Sequence, residues 1–171
     1  MKALIILTLL SSLIFAENHY SNGKPGVKPV DNKIYKLECS ACHFAYQPGL
    51  LPAASWNKMM NNLENHFNTD ASLANEDFKI IKEYLNKNSA EKAMEYKRSS
   101  RIVKSIRSGD VPESISKTPY MIRKHNELRP AMLSQKEVRG LFNCVACHTT
   151  AERGIYSERD IKIPNYGRWD D

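Results

Sequence analysis

Two copies of one pentapeptide constrain this chain more than anything else in it: Cys39-Ser40-Ala41-Cys42-His43 and Cys144-Val145-Ala146-Cys147-His148. Thiols three positions apart lie on one side of a single helical turn. There both can form thioethers to the vinyl groups of one haem, and the histidine that follows can rise beneath the ring to ligate the iron; the pattern is that of c-type haem attachment. One match alone carries some risk of accident. Two matches that use all four cysteines of the chain point to two covalently bound haem c groups. Paired disulfides, a thioredoxin-like couple or half of a zinc site would each account for Cys-x-x-Cys. None of them explains a histidine directly after both pairs, and no βαβ pattern surrounds either one.

The first sixteen residues read as an export signal. Lys2 supplies the positive start, residues 3–15 form an apolar run interrupted only by Thr8, Ser11 and Ser12, and Ala16 is small enough for cleavage. That run falls short of the roughly 20 residues a membrane-spanning helix needs, so cleavage near Ala16 and a periplasmic mature chain with no membrane span are expected. Export also bears on the charge. A formal net charge of +6 would suit nucleic acid, but four haem propionates offset most of it, and an exported chain rarely meets nucleic acid. A mean hydropathy of −0.52 leaves a thin apolar core for this length, and two haems would add large rigid surfaces for short helices to pack on.

The mature chain divides by composition. Residues 17–32 are polar, with Gly23, Pro25, Gly26 and Pro29, and read as an irregular arm. Residues 33–89 form an N-terminal haem domain. A short helix over 33–39 feeds the first pentapeptide, and a Pro/Gly-punctuated stretch suited to a haem edge follows it. A helix capped by Ser55 runs to about Phe67 with Trp56, Met59, Met60, Leu63 and His66 on its apolar stripe. The next helix is capped by Asn75, with Glu76 and Asp77 favourable in its first turn. Residues 90–117 connect to a C-terminal haem domain, 118–171, and their basic run Lys97, Arg98, Arg101, Lys104 and Arg107 reads as a solvated helix face. Thr118-Pro119 starts a helix that carries Met121 and His125 one turn apart. Pro130 ends that element, and a capping box of Ser134 and Glu137 opens a helix over 135–143 that delivers Cys144. A loop-rich tail with Ile155, Tyr156, Ile161 and Ile163 is left to cover the second haem. The expected fold is mainly α: two small helical haem-binding lobes with much irregular loop and no significant sheet.

The ligand opposite each proximal histidine decides the chemistry. Of five histidines, His43 and His148 are proximal and His19 lies in the arm. His66 and His125 remain, one in each half. Two irons that need two ligands favour His43/His66 and His148/His125, although the spacing leaves open which distal histidine serves which iron. Met59, Met60 and Met121 are the rival ligands, and methionine would raise the potential. Every cysteine is used, so no nucleophile–base pair remains and no catalytic residue is expected. The competing readings are a small haem enzyme with an open iron and a histidine/methionine two-haem cytochrome.

The stretch Glu38-Cys-Ser-Ala-Cys-His-Phe-Ala-Tyr-Gln-Pro-Gly-Leu-Leu-Pro52, then Ser55-Trp56, Asn65-His66-Phe67 and Ala71-Ser72-Leu73, resembles the bacterial periplasmic diheme cytochrome c family. So does the second part, with Thr118-Pro119-Tyr120, His125, Cys144-Val-Ala-Cys147-His148 and Ala151-Glu152. The resemblance implies two bis-histidine haems, with His66 and His125 at the distal positions. It also implies an N-terminal half like the small helical cytochromes c and a less regular C-terminal half. As partners it implies a membrane-bound electron donor and a soluble oxygen-binding monohaem c-type cytochrome, with electrons as the only cargo.

Overall fold

The computed structural model describes residues 23–169. The expected export signal, its cleavage point and His19 lie outside the described residues. Within them the chain is mainly helical, and its only sheet is a pair of two-residue strands.

The first core forms around three helices. Helix α1 (Lys33–Cys39) starts at Asn32, whose side-chain oxygen accepts from the Tyr35 amide at 2.8 Å and so satisfies a donor that the first helical turn leaves free. Helix α2 (Ala53–Met60) and helix α3 (Asn75–Lys87) follow, with Glu76 and Asp77 at the positive end of the α3 dipole; Asn75 does not cap α3 but is its first residue, and the cap position falls to Ala74, which has no side-chain acceptor. Both α1 and α2 pack on α3. Tyr35, Trp56, Met60, Ile81 and Leu85 are buried between them, and the Trp56 indole donates to the Pro48 carbonyl at 2.8 Å.

Helix α2 is shorter than the apolar spacing predicts. It stops at Met60, where Asn61 and Asn62 follow and the Asn62 backbone leaves the helical region. A single 3-10 turn spans Leu63–Asn65, and Phe67 and Asn68 then adopt positive φ. Ser55 does not cap α2 but lies buried within it. His66 therefore sits on a turn, not on a helical stripe. Its amide donates to the Thr69 carbonyl at 2.8 Å, and its own carbonyl accepts from the Thr69 amide at 3.1 Å.

The second core is assembled from distant parts of the chain. The 3-10 turn Pro48–Leu50 is wholly buried, and adjacent residues there serve different cores: Leu51 fills the first and Leu50 the second. The arm does the same with Val30 and Val27, so it is irregular in backbone but anchored in side chain. Gly26 and Val27 both donate their amides to the Gly154 carbonyl, at 2.8 and 3.3 Å. Helix α4 (Lys97–Ser105) buries Ile102 completely, and residues 90–117 thus contribute core as well as connection.

Helix α5 (Pro119–Lys124) begins as the sequence predicts, with the Thr118 hydroxyl accepting from the Met121 amide at 3.4 Å. The next two expectations fail together. Pro130 does not end an element but occupies the first position of helix α6 (Pro130–Ser134), where its missing amide costs nothing. The helix expected over 135–143 is absent. Gln135 is extended, its side-chain amide donates back to the Met132 carbonyl at 2.8 Å, and Arg139 and Gly140 take positive φ. Strands β1 (Lys162–Ile163) and β2 (Gly167–Arg168) close the tail as a small antiparallel pair.

Candidate functional site

Helix α1 carries Cys39 as its last residue, and the Ser40 amide closes the helix on the Lys36 carbonyl at 3.1 Å. The chain then turns so that Cys42 and His43 follow outside the helix. The His43 ring stacks on Tyr46, with ring centres 4.5 Å apart, and its Nδ1 donates to the Phe44 carbonyl at 2.9 Å. That bond selects the tautomer whose Nε2 is free to bind a metal. The Leu63–Asn65 turn brings His66 opposite, with ring centres 6.2 Å apart and ring planes 41° apart. Burial, and then the neighbouring His43, lowers the His66 pKa.

At the second site Cys144–Ala146 forms one 3-10 turn, and the His148 amide donates back to the Cys144 carbonyl at 2.8 Å. Both thiols and the histidine therefore belong to a single helical turn. His125 ends α5 rather than riding its stripe, and its Nδ1 donates to the Met121 carbonyl at 2.8 Å. The His125 and His148 ring centres are 6.1 Å apart with planes at 80°. His148 packs edge-on against Tyr156, and its buried Nδ1 bonds no protein group. Burial, followed by His125 and Arg98, presses its pKa down to about 4. It is thus held neutral, the form that binds a metal.

The rival methionines are placed otherwise. Met60 is core, Met59 packs half-buried on the same cluster, and the Met121 carbonyl holds His125. No two cysteines are joined. Burial, with Glu38 behind it, pushes the Cys39 thiol up to about 11, and burial does the same to Cys144. That is the reverse of what a zinc thiolate or a redox nucleophile needs.

These residues fit a haem at each site. Two imidazoles bound on opposite sides of one metal, with bonds of about 2.0 Å, place their ring centres roughly 6.3 Å apart, and both observed spacings match. Among the described residues no three His, Cys, Asp or Glu side chains converge to hold a bare ion. The second cavity is walled by Leu141, Ile161 and Ile163 alongside Cys144 and Cys147. Phe67 beside His66 and Phe142 beside Cys144 remain 61% and 48% exposed, apolar surface of the kind a porphyrin covers.

Three side chains to which the sequence reading gave no part in the sites brace the chain around them. The Tyr46 hydroxyl donates to the Phe142 carbonyl, linking the ring on His43 to the approach to Cys144. Fully buried Gln47 accepts from the Tyr156 hydroxyl and donates to the Ala151 carbonyl, both at 2.7 Å. Arg98, expected on a solvated face, turns inward to donate to the Tyr120 hydroxyl at 2.9 Å and to the Tyr156 carbonyl. Its position four residues before Ile102 on α4 was the available signal. Gln47 lies in an aperiodic Pro/Gly stretch and offered none.

Comparison with known proteins agrees with this chemistry. The family model for dihaem cytochrome c matches residues 35–156. A diheme cytochrome c from Rhodobacter sphaeroides is 40% identical, with a TM-score of 0.67 over 76% of this chain and 100% of that one. A diheme cytochrome type c from Shewanella baltica is 36% identical, with a TM-score of 0.67 over 81% and 98%. No curated protein sequence matches. The chain therefore belongs to the dihaem cytochrome c family, binds two c-type haems and is a haem-based electron carrier.

Proposed function

We propose that His43 and His66 ligate one haem iron and His148 and His125 the other, with Cys39 and Cys42, and Cys144 and Cys147, holding the two porphyrins as thioethers. The observation that carries this reading is the pair of imidazole spacings, 6.2 and 6.1 Å, each room for one metal and no more. Bound haem supplies a one-electron couple at each site. The protein's own part is to orient four imidazoles: the Phe44 and Met121 carbonyls fix two of them, and burial lowers the pKa of the other two, favouring their neutral form. Held by two histidines each, the haems would offer no vacancy to a substrate, and the molecule would relay electrons and transform nothing. Among the described residues no helix is long and apolar enough to cross a membrane. The setting that suits this is the periplasm, between a membrane-bound donor and a soluble acceptor such as an oxygen-binding monohaem c-type cytochrome.

Redox titration of the holoprotein, followed in the visible and by electron paramagnetic resonance, tests the assignment. Two low-spin haems that bind carbon monoxide only slowly when reduced are expected. A high-spin ferric signal or prompt carbon monoxide binding would mean an open iron, and the long-wavelength band of iron–methionine ligation would mean a sulfur ligand. His66→Met and His125→Met should each keep both haems attached while raising one potential. If His125→Met left both haems spectroscopically unchanged, the second-site assignment would be wrong.

A further inference from the structure

We propose that Arg98 raises the reduction potential of the second haem; the inference rests on the ligand assignment above. The guanidinium lines the same cavity as His125, His148 and Cys147. It lies over the Tyr156 ring, 5.4 Å from its centre, and that ring packs 5.5 Å from the ring of His148. Its hydrogen bonds go to neutral groups, the Tyr120 hydroxyl and the Tyr156 carbonyl. Among the described residues no carboxylate lies within ion-pair distance of it. Glu158, on the wall of that cavity, is exposed, pairs with Lys124 at 2.7 Å and feels Arg98 only beyond ion-pair distance, as a weaker influence than Lys124. The arginine is also held in place. Its amide donates to the Gly26 carbonyl at 2.9 Å, and a Cβ at Gly26 would come within 3.1 Å of its side chain.

A guanidinium stays charged at every accessible pH. Reduction removes one positive charge from the iron, so a fixed neighbouring cation disfavours the oxidised state and raises the potential. Water screens this weakly where the cation is partly buried. The exposed lysines and arginines of the same face are screened and contribute far less. Arg98 thus acts as a positioning residue, through the field it places on the iron rather than by ligation.

The test compares Arg98→Gln, Arg98→Lys and Tyr120→Phe holoproteins by spectrally resolved redox titration, with the second haem identified as the one that His125→Met perturbs. Arg98→Gln should shift that haem's reduction equilibrium about tenfold toward the oxidised form, a fall of about 59 mV for one electron, and should move the other haem much less. Arg98→Lys should retain most of the potential, and Tyr120→Phe, which removes a hydrogen bond but no charge, should leave it unmoved. The Arg98→Gln shift should persist at about 1 M salt, where the screening length is about 3 Å. An unmoved second haem, equal shifts in both haems, Arg98→Lys falling as far as Arg98→Gln, or a shift erased by salt overturns the proposal. Arg98→Met serves if Arg98→Gln does not take up both haems, and failure of both assigns Arg98 a structural role instead. Low-spin spectra with no movement sink the role of Arg98 alone, whereas a high-spin haem in the unaltered protein sinks the ligand assignment.

Discussion

At the scale of single residues, the two imidazole pairs differ in twist, 41° at His43/His66 and 80° at His125/His148. If these rings ligate iron as proposed, a nearly perpendicular pair would leave the iron d orbitals close to degenerate. The second haem should therefore show the more anisotropic low-spin signal, with the larger maximum g value. Indistinguishable signals would count against these orientations. Acid stability follows from the same residues. His66 and His148 can ligate iron only as neutral imidazoles, so protons compete with the metal for them as pH falls. The holoprotein should keep its low-spin spectrum at neutral pH and lose it on acidification, and a low-spin spectrum that outlasts acid unfolding would contradict the ligand assignment. Gln47 is a third case. Gln47→Leu would strand the Tyr156 hydroxyl and the Ala151 carbonyl, at a cost of about 3 kcal/mol in unfolding free energy.

At the scale of elements, the turns matter as much as the helices. Gly154 takes φ +72 where a Cβ would come within 2.4 Å of the Val27 carbonyl oxygen, while Gly109 takes φ +88 with nothing within 4 Å. Both tolerate glycine's left-handed conformation, but only one has no room. Gly154→Ala should cost roughly 3 kcal/mol or more and Gly109→Ala about 1, compared by urea midpoints. Equal losses would mean that the contact between arm and tail contributes nothing. Thr118→Ala removes the cap of the helix that ends in His125 and should cost about 1 kcal/mol.

For the whole molecule, the two cores are not two independent bodies in sequence. Val27 and Leu50, from the first third of the chain, pack with Ile102, Tyr120 and Tyr156, and the buried Gln47–Tyr156 bond crosses 109 positions. Both haem sites should therefore lose their ligands in one cooperative transition, with the visible bands and far-ultraviolet helix signal coincident in urea. Separate transitions would show that the interleaved core does not couple the halves.

Much of this molecule was legible from residues alone, and the reason is local. Cys-x-x-Cys-His carries its chemistry within one turn, Thr118-Pro119 starts a helix through a bond three residues long, and Asn75–Lys87 follows its apolar spacing. Where local preference was weak, sequence misjudged the outcome. Asn61 and Asn62 end α2 early, and Arg139 and Gly140 replace a helix with left-handed turns; asparagine and glycine accept either backbone, and the packing around them chooses. The pairing of His66 with His43 and of His125 with His148, the burial of Gln47 and the inward turn of Arg98 depend on contacts far apart along the chain. No pattern of neighbours encodes such contacts, and only the packed tertiary structure decides them.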